Sequence, residues 1–470
     1  MVGITSFGIH VPAYRLTRDE ISRAWKTRSP GGEKAVAGPD EDSLTMGVGA
    51  ILDCIKHGHQ KVDGLFFAST TSPYQEKQAA AIMAAAVDLP ETTRTVDFTD
   101  SLRSGTMALS SALDAVKSGS AENIIIAASD SRMGAGKSQF EMLFGDGAAA
   151  IAVGNSDVVA SVEGSYSVFS ELLDLWRLEG SPFVQSWEER FTINAGYMNM
   201  MQQCVHGVME KYKLTPAEFA KAVLYGPDGR SHASLAKRLG LNLQTQVQDP
   251  LLQQIGNSGA ASLPMMLVEA LRDARPGDRI LVANYGDGGD AFILKVTENI
   301  EKLKATQNIR KRLAKKSYID YEKYLTWRDL VPSEEARRPN PRPSSVTCLW
   351  RERRSVLSLY GSKCNQCGTV QYPPQRICAH CQAKDDSGGY KLSDKKGAIF
   401  TYGVDYLTSR KDPPAIIGVV DFEGGGRLMC EVTECELSEV KIGLPVEMCL
   451  RKLSRKGNFH NYLWKARPAL

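Results

Sequence analysis

RILVANYGDGGDAFILKV (residues 279–296) reads as two apolar strands around a Gly-Asp-Gly turn. The same sequence of features occurs earlier. NIIIAASDS (123–131) is an apolar run, and FGDGAAAIAVG (144–154) supplies Gly-Asp-Gly and a second apolar run. Two copies of one strand–turn–strand pattern predict an internal duplication. Between and around them, DGLFFAST (63–70) reads as a strand. SGTMALSSALDAVKSG (104–119) carries Ala, Leu and Val at helical spacing and closes on Gly119, a helix-ending residue. Short β-rich runs alternating with longer helical ones predict an α/β architecture with covered sheets over residues 1–297.

The bulk composition narrows the function classes. The chain has 470 residues, 43% apolar and 24% charged, as in a soluble globular protein of several domains. A net charge of +3, with no basic stripe interleaved with aromatics, argues against a nucleic-acid partner. The opening MVGITSFGIHVPAYRL lacks a charged segment followed by an apolar core. The apolar runs, such as IIIAA (124–128), are too short to cross a bilayer. A cytoplasmic protein without a membrane partner is therefore expected. Of ten cysteines, four cluster and six are scattered, unlike a secreted disulfide framework.

Residues 298–345 change character. ENIEKLKATQNIRKRLAKKSYIDYEKYLTWRDL is highly charged and reads as helical, and it leads into VPSEEARRPNPRPSS, a Pro- and Arg-rich linker. A second module begins near residue 346. Residues 346–390 hold a helix and a cysteine cluster, and 391–470 hold β-like runs punctuated by Gly and Pro, as in a small barrel.

The cysteine cluster is specific. Cys364 and Cys367 form one CxxC, Cys378 and Cys381 another, with ten residues between. Each CxxC sets two thiolates on one knuckle, and two knuckles complete a tetrahedral site suited to Zn²⁺. Four thiolates close the site, which predicts a structural metal for a segment too small for its own core.

Together with LWRERRSVLSLYGSKC before it, Pro373 and Pro374 after it, and PPAIIGVVDFEGGGRL in the barrel, this cluster resembles the rubredoxin-like zinc ribbon plus OB-fold proteins that accompany thiolase-like enzymes and bind acyl-CoA. Several segments of 1–297 resemble the thiolase superfamily, in its HMG-CoA synthase and ketoacyl synthase III branch. They are LFGDGAAA (143–150), IGNSGAASLP (255–264) and PGDRILVANYGDGGDAF (276–292), with KYLTWRDLVP (323–332) similar to an extension of bacterial relatives. The resemblance implies a duplicated five-layered thiolase-like fold, a CoA thioester substrate and a homodimer.

Three positions depart from that branch. Its nucleophile lies in a run of Asp, three residues, Ala-Cys, two residues, Gly-Thr; the matching run here, starting at Asp97, places Leu102 where the cysteine stands. The histidine of a His-x-Pro-x-Gly-Lys run is matched by Tyr225, and a glutamate by Thr70. The asparagine is retained as Asn257. Leucine cannot form a thioester, so the expected chemistry is one that needs no acyl-enzyme. An aldol or retro-aldol step on a β-hydroxyacyl-CoA meets that requirement, since its enolate needs only an oxyanion hole and a proton donor. Tyr225 is the leading proton-transfer residue, unless it only fills the space of an imidazole. Asn257 is a donor to the thioester oxygen or a loop brace. Asp100 is placed ahead of Asp97 as a base. His232 is expected on a helix surface and Cys204 as a buried thiol. Two alternatives stand beside the aldolase: a condensing acyltransferase using Ser101 or Ser104, which lack a histidine base, and a non-catalytic acyl-CoA-binding scaffold.

Overall fold

Both quoted strand pairs lie in one sheet. The computed structural model describes residues 1–56, 61–304, 313–332, 334, 345–408, 410–453 and 459–469. The chain divides into two units. The first comprises Met1–Ala37, Asp42–Ala81 and Pro90–Tyr318; the second comprises Gly38–Glu41, Ile82–Leu89 and Ile319–Leu470.

The main strands of the first unit are β1 (Gly3–His10), β2 (Gly64–Ala68), β3 (Arg94–Phe98), β4 (Asn123–Asp130), β5 (Gly147–Gly154), β6 (Ala160–Phe169), β7 (Lys221–Leu224), β8 (Arg279–Tyr285) and β9 (Gly288–Val296). They lie in the order β7-β8-β9-β6-β1-β5-β4-β2-β3. Outward from the antiparallel β1–β6 pairing, each half repeats the other. β1–β5 and β5–β4 are antiparallel and β4–β2 is parallel. Likewise β6–β9 and β9–β8 are antiparallel and β8–β7 is parallel. Beyond β2 runs the parallel β3; beyond β7 a single parallel bridge, Ala222 to Val247, takes the equivalent place. The duplication seen in the sequence is thus a symmetry of the sheet. The two Gly-Asp-Gly triplets differ: residues 286–288 make the tight β8–β9 turn, whereas 145–147 end a longer connection from β4 to β5.

The helices follow the same symmetry. α1 (Ser43–Ile55) packs on β1, β5 and β4, and α3 (Asn199–Tyr212) packs on β9, β6 and β8. α2 (Ser104–Lys117) lies on β4 and β2, while α5 (Ser262–Asp273) touches β5 and β1 of one half and β7 and β8 of the other. α2 and α5 therefore form a middle layer between two sheet halves, with α1 and α3 outside. β4 and β5 are buried at every position, which explains their unbroken apolar sequence: both faces are covered.

In the second unit, the strands Tyr360–Cys364, Val370–Gln371 and Ser387–Lys391 form the ribbon sheet. β10 (Gly397–Asp405), β11 (Ala415–Phe422), β12 (Arg427–Val432), β13 (Pro445–Lys452) and β14 (Tyr462–Pro468) close into a barrel in the order β10-β11-β12-β14-β13. Burial alternates along β11, one face filling the barrel. Closure removes the exposed edges that such short strands would otherwise carry.

The described part of the charged stretch after residue 298 is less helical than its composition suggests. Its described residues include two short helices, Ile300–Lys304 and Tyr321–Trp327, with a strand at Ser317–Tyr318 that pairs in parallel with Tyr14–Arg15. Tyr318 also donates to Glu33 at 2.9 Å, so partners distant in sequence override the local helical tendency. Residues 305–312 and most of the Pro- and Arg-rich linker lie outside the described residues.

Candidate active site and metal centre

The turn after β3 brings Leu102 to the start of α2, where it is 7% exposed. Its carbonyl accepts from Asn284 Nδ2 at 3.4 Å. Gly286, at φ +156°, lies against it: a Cβ there would stand 2.9 Å from the Arg103 nitrogen and 3.1 Å from Leu102 Cβ. The first Gly of the Gly-Asp-Gly turn is thus required by close approach as well as by backbone angle. Below, Asp290 holds the first turn of α2, accepting from Thr106 Oγ1 at 2.7 Å and from Arg103 at 3.3 Å. The position that the resemblance assigns to a nucleophile is therefore an aliphatic side chain in a well-braced turn. Ser104 is fully buried, and Ser101 Oγ accepts from the Arg103 nitrogen at 3.4 Å; no histidine hydrogen-bonds to either hydroxyl among the described residues.

Tyr225 follows β7 and is 2% exposed. Asn257 Nδ2 donates to its hydroxyl at 3.0 Å. The amide is fixed at its other end, where Oδ1 accepts from the Gly259 nitrogen at 3.0 Å and from Ser262 Oγ at 3.3 Å. Asn257 thus braces its loop and points its N–H groups at the tyrosine. Tyr197, in a wide π-helical turn (Thr192–Met198), donates to the Tyr225 carbonyl at 2.8 Å. Burial pushes the Tyr225 phenol above its usual range, against the lowering effect of the Arg132 charge and the Asn257 hydrogen bond. Tyr225 is therefore a neutral O–H donor at physiological pH.

Thr70 lies beside a carboxylate that the sequence did not single out. Asp130, at the end of β4, is fully buried and accepts from Ser69 Oγ, the Thr70 nitrogen, Thr70 Oγ1, Thr71 Oγ1 and the Ala260 nitrogen, at 2.7–2.9 Å. Gly259, at φ +61°, allows this approach; a Cβ there would be 2.2 Å from Asp130 Oδ2. Arg132 comes two residues later, 7% exposed, with its guanidinium 4.3 Å from the ring centroid of Phe144. Tyr285 Oη donates to Asp174 at 2.6 Å, and Arg177 Nη2 donates to the Thr70 carbonyl at 2.7 Å, so the segment around residues 174–177 covers this cluster.

The remaining candidates fall away from it. Asp100 is exposed and accepts from its neighbour Thr99 at 2.7 Å, and no hydrogen bond joins it to Tyr225 or Asn257 among the described residues. Asp97 caps the helix Ala79–Ala86, accepting from the Ala79 and Ala80 nitrogens at 2.7 and 2.9 Å. His232 is not on a helix surface. It is 4% exposed, because α4 (Gly229–Arg238) turns this face inward. Burial lowers its pKa, and Nε2 has no partner. Cys204 is fully buried on α3, with its thiol pushed up to about 12 by burial. Asp130 and Arg132 were missed because Asn123–Ser131 reads as plain apolar strand; the only available signal was a charge pair ending that strand.

The four ribbon cysteines converge. Cys364 and Cys381 Sγ are 3.6 Å apart, Cys367 and Cys378 Sγ 3.5 Å, and all four lie within 4.8 Å of one another. A tetrahedron of Zn–S bonds of about 2.3 Å has edges of about 3.8 Å, so the donor set and spacing fit zinc.

Comparison with known proteins matches the geometry. Residues 96–167 match the family described as 3-oxoacyl-[acyl-carrier-protein (ACP)] synthase III, and 209–295 match its C-terminal domain. The hydroxymethylglutaryl-CoA synthase of Pyrobaculum arsenaticum is 30% identical over 344 residues, covering 70% of this chain and 98% of the relative. That of Aeropyrum pernix is 34% identical over 336 residues, covering 68% of this chain and 92% of the relative. The chain belongs to the hydroxymethylglutaryl-CoA synthase family. Among solved structures, this synthase-family chain is similar in fold to MvaS in complex with 3-hydroxy-3-methylglutaryl coenzyme A (TM-score 0.64, 20% identity, 72% of this chain and 94% of that one). It is also similar to an HMG-CoA synthase complexed with CoA (TM-score 0.60, 18% identity, 69% of this chain and 89% of that one). Beyond the synthase region, residues 351–387 match the ChsH2 rubredoxin-like zinc ribbon domain and 390–451 the ChsH2 C-terminal OB-fold domain. Among the described residues, no helix is long and apolar enough to cross a membrane.

Proposed function

We propose that this synthase-family enzyme makes or breaks a carbon–carbon bond on a CoA thioester without a covalent acyl-enzyme, as an aldolase or retro-aldolase of β-hydroxyacyl-CoA. The observation that carries this is Leu102 in the turn that opens α2, taken with the Tyr225–Asn257 hydrogen bond. In cleavage, the β-hydroxyl loses its proton, the Cα–Cβ bond breaks, and its electron pair moves into the thioester as an enolate. The β-carbon leaves as an aldehyde or ketone, and Cα takes a proton. In the reverse addition, Cα gives up a proton, the enolate's electron pair forms the Cα–Cβ bond to the carbonyl carbon, and the new alkoxide takes up a proton. Tyr225 suits the donor role because Asn257 occupies an acceptor site on its oxygen and leaves the O–H for a substrate oxygen. The ribbon is proposed to hold one structural Zn²⁺ through Cys364, Cys367, Cys378 and Cys381, and the enzyme to act as a homodimer in the cytoplasm.

The decisive assay incubates the full chain with a panel of β-hydroxyacyl-CoA esters and looks for a shorter acyl-CoA plus carbonyl product, or for the reverse addition. Turnover that survives iodoacetamide fits the proposal. Covalent acylation of the protein during turnover sinks it and favours condensing acyl transfer, the reading that the curated relatives support by their names. No turnover in either direction, with CoA esters still bound, would leave a scaffold.

A further inference from the structure

A retro-aldol step moves charge on two oxygens: the β-oxygen becomes a carbonyl while the thioester oxygen becomes an enolate, and each needs its own donor. The Tyr225 hydroxyl serves one of them. The amide that the resemblance offers for the other is already engaged. Asn257 Nδ2 faces the Tyr225 hydroxyl at 3.0 Å and the Pro227 carbonyl at 3.5 Å, and Oδ1 accepts from Gly259 and Ser262. Beside this turn stands Arg132. Its stem crosses Gly259 so closely that a Cβ there would lie 2.7 Å from Arg132 Cδ. Its guanidinium lies over the ring of Phe144, whose backbone is bridged to Asn257. Arg132 is buried, its Nη1 has no hydrogen-bond partner, and it forms no ion pair among the described residues. Asp130 cannot serve it further, since it already accepts from five donors. Arg132 and Tyr225 lie within electrostatic reach of each other.

We infer that Arg132 is a catalytic residue, its guanidinium donating to the thioester oxygen and stabilising the enolate in place of the amide committed to Tyr225. A buried donor without an acceptor is costly, so the free N–H of Arg132 gains an acceptor when the thioester arrives. The gain grows as that oxygen becomes negative, because the charge is already in place and water is excluded. Burial lowers the Arg132 pKa, yet an arginine keeps its proton in proteins. Arg132 therefore polarises the carbonyl without exchanging a proton, and proton transfer is left to Tyr225. The electron balance is that of the cleavage above: the Cα–Cβ pair enters the thioester, its oxygen carries the charge, and Arg132 is unchanged at the end. This role rests on the aldolase reading, but its test needs only that a CoA thioester binds.

The test is infrared difference spectroscopy of the full-length protein with acetyl-CoA carrying a heavy carbon isotope at its carbonyl. In the wild type the bound carbonyl band is expected at lower frequency than in free acetyl-CoA, since a cation at the oxygen weakens the C=O bond. Arg132→Met is expected to bind the ester, as read by calorimetry, and to return the band to its free position. Arg132→Lys keeps the charge in a different geometry, and a band between the two is expected. A wild-type band at the free frequency overturns the role of Arg132 and leaves the thioester reading standing. A band shifted equally in Arg132→Met does the same. Where Arg132→Met fails to fold, a band in Arg132→Lys identical to the wild type overturns the role in its stead. Wild-type protein that binds no acetyl-CoA removes the thioester reading and this role together.

Discussion

Asn257 and Tyr225 form a directional pair: the amide nitrogen donates to the phenol at 3.0 Å, and the amide oxygen is held by Gly259 and Ser262. A flipped amide would set its nitrogen against the Gly259 N–H and lose that bond, so the nitrogen stays on the phenol, which keeps its proton for another acceptor. Tyr225→Phe removes that proton and little volume. Turnover is expected to fall at least about tenfold, within the usual range for a general acid or base, while CoA-ester binding persists. Burial raises the Tyr225 pKa, so its proton is present throughout the neutral range and lost only in alkali. The wild-type rate should therefore stay flat through neutrality, and any alkaline limb should vanish in the variant. An unchanged rate for Tyr225→Phe would remove the residue from the mechanism.

Leu102 occupies a turn where a thiol would be activated, since the first backbone N–H groups of α2 and the helix dipole favour a thiolate. Leu102→Cys is expected to gain a reactive thiol. Intact mass spectrometry after incubation with acetyl-CoA should show an acetyl adduct on the variant and none on the wild type. Failure of the variant to react, with the fold retained, would mean that the turn does not present residue 102 to a thioester.

His232 gives a pH signature of its own. Burial lowers its folded-state pKa below the ordinary value near 6.5, against the raising influence of Asp249 and Asp228. As pH falls, the unfolded chain takes up the proton first, so unfolding gains. The stabilisation is complete above about pH 6.5 and is lost as pH falls toward the folded value. His232→Phe should flatten the fall in urea midpoint between about pH 7.5 and pH 5.5. An equal fall in the variant would assign the effect to other groups.

How far the sequence disclosed this molecule depended on range. Strand pairs such as Arg279–Val296 announce themselves by local pattern, and the CxxC pairs by spacing, so the sheet, its repeat and the ribbon were legible. Leu102, Tyr225, Thr70 and Asn257 could be singled out because each lies in a short run that resembles a family motif. Asp130 and Arg132 lie at the end of an apolar strand, and their meaning arises only when Thr70, Ala260 and Phe144 arrive from elsewhere in the chain. Ser317–Tyr318 was misread as helix for the same reason: its partner is Tyr14–Arg15. His232 read as a surface residue because the polar residues around it mask the inward face of α4.

The ribbon offers a direct assay. Metal analysis of the full chain is expected to give about one zinc per chain. Cys378→Ser should lower zinc content and the thermal stability of the second unit together, since a closed thiolate site contributes to folding. A folded wild-type protein free of metal would contradict the assignment.

The barrel holds its own buried charges. Arg451 pairs with Glu434 and lies 3.2 Å from Glu41, Arg467 is 3.4 Å from Glu434, and Lys465 is 2.8 Å from Asp40. Arg451 and Lys465 are almost fully buried, so each depends on its acidic partners for the hydration it has lost. Glu434→Ala removes the group shared by Arg451 and Arg467. Breaking such a buried pair costs about 3–5 kcal/mol, and the loss should appear as faster amide exchange across β12, β13 and β14. Because these charges are shielded from solvent ions, moderate salt should not restore protection. Glu434→Gln keeps a hydrogen-bond acceptor and is expected to lose less. If both variants exchange at the wild-type rate, the charges are hydrated in solution and the barrel is held by its apolar interior alone.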